Sequence, residues 1–312
     1  MTGMGSRYRL HMSNNRPLRM YLEEPLLKSA EVGQHNFINL IVKVAEKSQF
    51  RVEFHDISQT GNHGNDHSLI HMKEPANDRG LVFRRVYHYP FWQIEQTNER
   101  WHWDVAKATF DDRMTCPDAA RFYGYWQKRL FDDTPQQTTK TGFIYVPLQG
   151  RLTQHRSFQA CSPMDMIEHC LEHDQTRNVI ATLHPKERYT DAELNQLEAL
   201  DKKHPRLTVS MGEMSKHLKH CDFVVTQNSS AAYAGYFFGK PALLFGKVDF
   251  HHIAEKIDMS AAQDSFSKVA QMNPAFHKYI WWFWQNQSIN AGHSDASEKI
   301  AARLKRFDWP IK

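Results

Sequence analysis

The sequence predicts an α/β protein built of two doubly wound domains that face a cleft. Three observations predict it: a length of 312 residues, a strand-helix-strand opening, and a regular alternation of strands and helices from Phe143 to Phe245. The length suits two modest domains better than one oversized core. The polar stretch from Asp132 to Thr141 reads as the linker between them. Residues 1–140 are therefore expected to form the first α/β domain and residues 141–265 the second. Residues 266–312 are read as C-terminal helices that cross back to the first.

In the first half, Pro17 to Leu22 reads as a strand, and Gly33 to Phe50 as a helix with apolar Phe37, Ile38, Leu40, Ile41, Val42 and Val44. Arg51 to Phe54 follows as a strand. Ile57 to Gly80 is polar and without periodicity, so it reads as loops; Val82 to Tyr87 returns to a strand pattern. Trp92 to Trp103 mixes aromatic and charged residues and fits neither period. Pro117 to Leu130 suits a helix. The second half alternates strand 143–148, helix 162–172, strand 178–183, helix 191–202, strand 207–210, helix 214–220, strand 222–226, helix 230–238 and strand 242–245. The tail carries an aromatic helix around Tyr279 to Trp284 and a basic amphipathic helix from Ser294 to Phe307.

Composition excludes several classes of function. The net charge of +4, from 39 basic against 35 acidic residues, is spread along the chain, so nucleic-acid binding is not indicated. Such a mild bias suits anionic small substrates, or a peripheral visit to an anionic membrane surface. Cys116, Cys161, Cys170 and Cys221 make no CxxC pair and no Cys/His spacing typical of zinc, so no metal and no disulfide framework is expected. The most apolar aromatic run, Tyr279 to Trp284, is far too short to span a membrane, and Met1 to Arg16 is polar and basic without the apolar core of a signal peptide. The expectation is a cytoplasmic chain, working in part at the inner face of the membrane.

Two segments carry chemistry. The strand from Asp222 to Thr226 runs into Gln227-Asn228-Ser229-Ser230-Ala231-Ala232 and a helix that closes on Gly239-Lys240-Pro241. Two hydroxyl residues at a helix start place small donors and free backbone N–H groups where an anion can sit, and small Ala231 and Ala232 let a phosphate approach. Serine is equally a preferred helix cap with no ligand present. His184-Pro185 ends another strand; proline restrains its neighbour, and the imidazole can donate to a phosphoryl oxygen. The same dipeptide also serves simply to finish a loop. Glu23 and Glu24 after the first strand, Asp56 after the second, and Glu95 are the acids available for proton transfer or nucleophilic attack. The aromatic stretch from Tyr87 to Trp103 reads either as core or as a platform for sugar faces. Arg84, Arg85 and Arg100 read as surface residues or as clasps for a carboxylate.

With Pro147-Leu148-Gln149, His184-Pro185, Asn228-Ser229-Ser230 and Gly239-Lys240-Pro241 in place, the half from Phe143 to Phe250 resembles the C-terminal domain of capsule polysaccharide glycosyltransferases. It resembles notably the bacterial β-Kdo transferases, which use a CMP-sugar. Bacterial sialyltransferases share the His-Pro and Ser-Ser elements. The resemblance implies a GT-B fold of two Rossmann-like domains, and transfer of Kdo or another acidic sugar from a CMP-activated donor to a surface or capsular glycan. Carried over, it places His184, Ser229 and Ser230 on the donor phosphate and Gln149 beside it in the cleft, with Pro185, Gln227 and Asn228 in the same motifs; Lys186 reads either as an added cationic contact or as a solvated lysine, and no further cofactor is implied. Polyol-phosphate transferases and sugar-nucleotide epimerases use a similar layout, and a catalytically degenerate glycan-binding scaffold is the third reading. The chain departs from the family pattern in two places. Ala234 and Gly235 stand where many relatives carry a glutamate, and no Glu-Asp-Gly signature is found in the first half.

Overall fold

The structure, a computed structural model, describes residues 16–61, 64 and 66–312. The reading of the N-terminal segment as lacking a signal peptide falls, apart from Arg16, outside them. The chain starts with β1 (Arg16–Leu22), α1 (Glu24–Glu31), α2 (Asn36–Lys47), β2 (Phe50–Asp56), β3 (His67–His71), β4 (Gly80–Arg85) and β5 (Phe91–Glu95). It continues with α3 (Asp104–Lys107), α4 (Ala119–Phe131), β6 (Phe143–Pro147), α5 (Pro163–His173), β7 (Asn178–Leu183), α6 (Asp191–Lys203), β8 (Leu207–Met211) and α7 (Met214–His220). Then come β9 (Phe223–Thr226), α8 (Ser230–Tyr236), β10 (Ala242–Leu244), β11 (Glu255–Lys256), α9 (Ala262–Gln271), α10 (Phe276–Trp281), β12 (Ile289–Asn290) and α11 (Ala296–Arg306).

These elements form two compact units: the described residues up to Asn98 with 288–312, and residues 99–287. The division falls at Asn98 instead of in the polar stretch 132–141. That stretch belongs to unit 2, where Thr139 N–H donates to Lys219 O at 2.9 Å and the buried Lys240 ammonium donates to Thr139 O at 2.6 Å. The helix before it is held there too: Tyr123 and Gln127 of α4 donate to the carbonyls of Tyr236 and Phe237. Contacts with residues far away in the chain, which polarity alone does not reveal, hold this stretch in unit 2.

Unit 1 has a six-stranded sheet in the order β12-β5-β4-β3-β1-β2. Strands β2, β1, β3 and β4 are parallel, and β5 runs antiparallel to β4. Alternate residues of β1, Leu18, Met20 and Leu22, face a core shared with Phe37, Ile38 and Ile41 of α2 and Ile300 and Leu304 of α11. The 18–22 alternation and the α2 periodicity are what the sequence shows. Strand β3 lies in the segment read as loops: a Ser-Leu-Ile run between two histidines is too short to declare a period, and its neighbours β1 and β4 supply the hydrogen bonds.

Unit 2 has an all-parallel sheet in the order β8-β7-β6-β9-β10-β11, a 3-2-1-4-5-6 winding counted within the unit. Its core joins Ile144, Val146, Val179, Ala181, Phe223, Val225 and Leu243 to α5, α6 and α9. Local chemistry starts the helices. Ser162 and Asp165 form a capping box on α5, with Pro163 in the first turn, and Thr190 with Glu193 does the same on α6. The turn after α8 closes on Gly239 at φ +64°, a left-handed conformation that glycine adopts without a Cβ penalty. Among the described residues no helix is long and apolar enough to cross a membrane.

Candidate functional site

The winding of unit 2 gathers its motifs at one end of the sheet. The chain moves outward from β6 to β7 and β8, then crosses to β9 on the other side of β6. A crevice opens beyond the carboxyl ends of strands where the order reverses, here β6 and β9. Leu148-Gln149-Gly150 leaves β6, His184-Pro185 leaves the adjacent β7, and Gln227 to Ser230 leaves β9. The turns touch one another. Leu148 N–H donates to Thr182 O at 2.9 Å, and a Cβ on Gly150 would lie 2.7 Å from Glu187 Oε2. Thr226 Oγ1 donates to Pro147 O at 3.5 Å and accepts from Ser229 N–H at 3.3 Å, which ties the β6 and β9 turns.

Each predicted donor-site residue has a definite place. His184 is exposed, its N–H donates to Tyr189 Oη at 2.8 Å, and its Nδ1 accepts the Lys186 N–H at 3.2 Å. Acceptance at Nδ1 leaves the proton of the neutral ring on Nε2, so the ring is a donor there. Pro185 and Lys186 are exposed beside it, and Gln149 is half-buried. Gln227 is buried, and its amide donates to Cys161 O at 3.0 Å. Ser229 caps α8, its hydroxyl accepting from Ala231 N–H at 3.2 Å, so this serine has the structural task the cap preference implies. Asn228 is half-buried and Ser230 exposed. The glutamate of the resembling family has no room here. Ala234 is buried, and a Cβ on Gly235 would already stand 3.3 Å from both Leu218 and Val224.

Positive charge converges on this end of unit 2. The Arg100 guanidinium lies 3.5 Å from Asn228 O and 3.6 Å from Oδ1 of the fully buried Asp249. Of the three arginines singled out by sequence, it is the one at the α8 start. Arg156, with its guanidinium 4.8 Å from the Phe158 ring centre, has its pKa lowered by burial and then by the nearby Arg151 charge. Arg151, Arg156 and Asp249 carry no local motif, and sequence reasoning missed them. Next to Gln227, where a Cβ on Gly246 would meet Gln227 O at 2.9 Å, opens a cavity of about 500 Å³. Trp101 and Phe158, stacked at 5.1 Å, line it with Lys247, His251 and Lys256. Trp101 is thus the aromatic of the 87–103 stretch that faces a cavity, whereas Phe91, Trp92 and Trp103 are core.

Unit 1 has its own reversal of strand order, between β1 and β3. Glu23 follows β1 there, and His71 ends β3; Glu23 Oε2 and His71 Nδ1 are in hydrogen-bond contact. Burial, set against the pull of Glu23, holds the His71 pKa below its usual value, and Arg84 and Arg85 add to the depression. A neutral His71 donating from Nδ1 to the carboxylate presents an acceptor at Nε2, the arrangement of an oriented general base. His35 caps α2 nearby, its pKa lowered by burial and then by the His71 charge. The other acids differ. Glu24 is exposed and paired with Lys28 one turn on, at 2.6 Å. Asp56 caps its own turn through Ser58 N–H. Glu95 is buried in β5, level with Val82, with Arg303 at 3.5 Å. His71 was invisible in the sequence because β3 was.

No family model matches the chain, and no curated protein matches it in sequence. Among solved structures, it is similar to a β-Kdo 2,7 transferase, KpsC of Thermosulfurimonas dismutans, with a TM-score of 0.50 and 11% identity over 85% of this chain and 89% of that one. A β-Kdo 2,4 transferase structure of the same KpsC gives 0.49 and 10% over the same shares. The UDP-GlcNAc 2-epimerase of Neisseria meningitidis gives 0.36 and 11%, over 93% of this chain and 100% of that one. The first likeness, with the two mostly parallel sheets, gives the chain the α/β plan of the GT-B glycosyltransferases.

Proposed function

We propose that the chain is a glycosyltransferase that moves a sugar, Kdo or another acidic sugar, from a CMP-activated donor to a glycan acceptor. The observation that carries this is that the turns bearing Gln149, His184, Asn228 and Ser230 leave β6, β7 and β9 at one end of the unit 2 sheet, with Arg100 3.5 Å from Asn228 O. Donors and a cation so placed fit a phosphate whose charge grows as the bond to the sugar breaks. The four motifs that resemble those of the β-Kdo transferases support the donor class, and the KpsC likeness supports the fold.

Unit 1 by itself offers a general base for an acceptor hydroxyl: His71 accepts a proton at Nε2 while Glu23 holds the ring in the required tautomer. The acceptor oxygen bonds to the anomeric carbon, the anomeric C–O bond to phosphate breaks, and CMP leaves with the electron pair. His71 is the candidate base of unit 1 and Glu23 its positioning residue. Binding at the inner face of a membrane belongs to the same proposal, supported by the mild positive charge and the surface-glycan acceptor.

Thermal shift with CMP, UDP and CDP-glycerol tests the donor assignment. CMP at a hundred times its dissociation constant should add about 2.7 kcal/mol to stability. If no cytidine nucleotide stabilises the chain, the assignment falls, and stabilisation by CDP-glycerol alone would point to polyol-phosphate transfer. His71→Ala should keep CMP binding and lose about 10²–10⁴ in turnover. Glu23→Gln should also change the acid limb of the pH–rate profile, which a merely structural carboxylate would leave in place.

A further inference from the structure

Helix α5 carries His169, Glu172 and His173 on one face of its last two turns. Residues at i, i+3 and i+4 lie above one another on a helix, so three side chains of this spacing converge without any help from the rest of the fold. One nitrogen or oxygen of each lies within 4.8 Å of the others. The two imidazole rings are stacked, with centres 5.4 Å apart and planes 13° apart, and Glu172 Oε2 stands 3.8 Å from His173 Nε2. Behind them the rings rest on Phe245 and Phe266, which limits their rotation. His169 Nδ1 is buried and has no hydrogen-bond partner among the described residues.

The surrounding polar groups are committed elsewhere. Asp174 accepts from Arg177 and Thr176, and the Cys170 thiol is buried in the core of unit 2. None of the three residues belongs to the donor site, and none is a cysteine.

We propose that His169, Glu172 and His173 form a binding site for a divalent transition-metal ion of the zinc class. Two imidazoles and one carboxylate are the donor set such an ion takes. Magnesium and calcium, which prefer oxygen ligands throughout, are disfavoured. Three ligands leave at least one position of the ion open to water. A metal bound at Nδ1 satisfies the orphaned nitrogen of His169. Because the ligands come from one helix, binding holds its last two turns and stabilises folded unit 2.

Titration of the full chain with Zn²⁺ alone, and with Co²⁺ as the spectroscopic probe, tests this. The expected result is one tight equivalent, a four-coordinate Co²⁺ spectrum and a rise in Tm. Glu172→Gln, an exposed change that leaves the packing alone, should weaken binding by more than about tenfold, the loss that even an outer-shell partner produces. His169→Ala/His173→Ala should abolish it. The stacked pair His251 and His252, both already hydrogen-bonded, serves as control. The proposal is overturned if wild type takes up no tight equivalent, if Glu172→Gln binds as well as wild type, or if His251→Ala/His252→Ala removes the tight site instead. No outcome depends on sugar transfer.

Discussion

Arg100 shows how a single side chain acquires a role from its surroundings. In the sequence it stands among aromatic and charged residues; in the fold the buried Asp249 carboxylate lies 3.6 Å from its guanidinium, and Asn228 O is 3.5 Å away. A half-buried guanidinium binds phosphate better than a solvated one, since water screens it less. Arg100→Ala should weaken CMP binding by about tenfold, the equivalent of 1.4 kcal/mol. Asp249→Asn should weaken it less, because the cation stays while its anchor is loosened. Calorimetric affinities of the two variants check the order, and equal affinities for wild type and Arg100→Ala would remove Arg100 from the site. His184 and Ser230 were legible as residues because each follows an apolar strand. The acid-base pair was half legible: Glu23 showed its strand end, but its partner His71 did not.

At the scale of elements, β3 is the instructive case. It begins at His67, whose ring packs edge-on between Phe50 of β2 and Trp309 beyond α11, at 5.1 and 4.9 Å. Burial pushes the His67 pKa down to about 4, and the Arg79 and Arg16 charges assist. The unfolded chain takes up this proton near pH 6.5 and the folded chain only near 4, so stability falls as pH drops through that window. The loss approaches about 1.4 kcal/mol per pH unit for this group. Urea unfolding between pH 7 and 4.5 should show it, with a shallower slope in His67→Phe. An unchanged slope would mean that His67 titrates normally. Elements whose own sequence supplies caps and period, such as α2, α5 and α6, were readable. Strand β3 and the two-residue β11 and β12 were not, since their neighbours hold them.

For the whole molecule, the chain enters unit 1, builds unit 2, and returns. Ile289, Ile300, Leu304 and Trp309 are buried in the core of unit 1. At about 1.5–3 kcal/mol for each buried apolar side chain, their sum rivals the 5–15 kcal/mol that holds a domain together. Ending the chain after Gln287 should therefore unfold unit 1 and leave unit 2 protected, as hydrogen exchange would report; protection of β1 and β4 in the shortened chain would contradict this. The sequence by itself determined the α/β class, most strands and helices of unit 2, and the motif residues at its strand ends, because caps, periodicity and turn chemistry are local. Tertiary structure alone decided the order of the strands and the boundary at Asn98. It also decided which distant groups meet: Arg100 with Asp249, and Glu23 with His71. Those meetings depend on burial and on hydrogen bonds between segments far apart in the chain, and no local pattern records them.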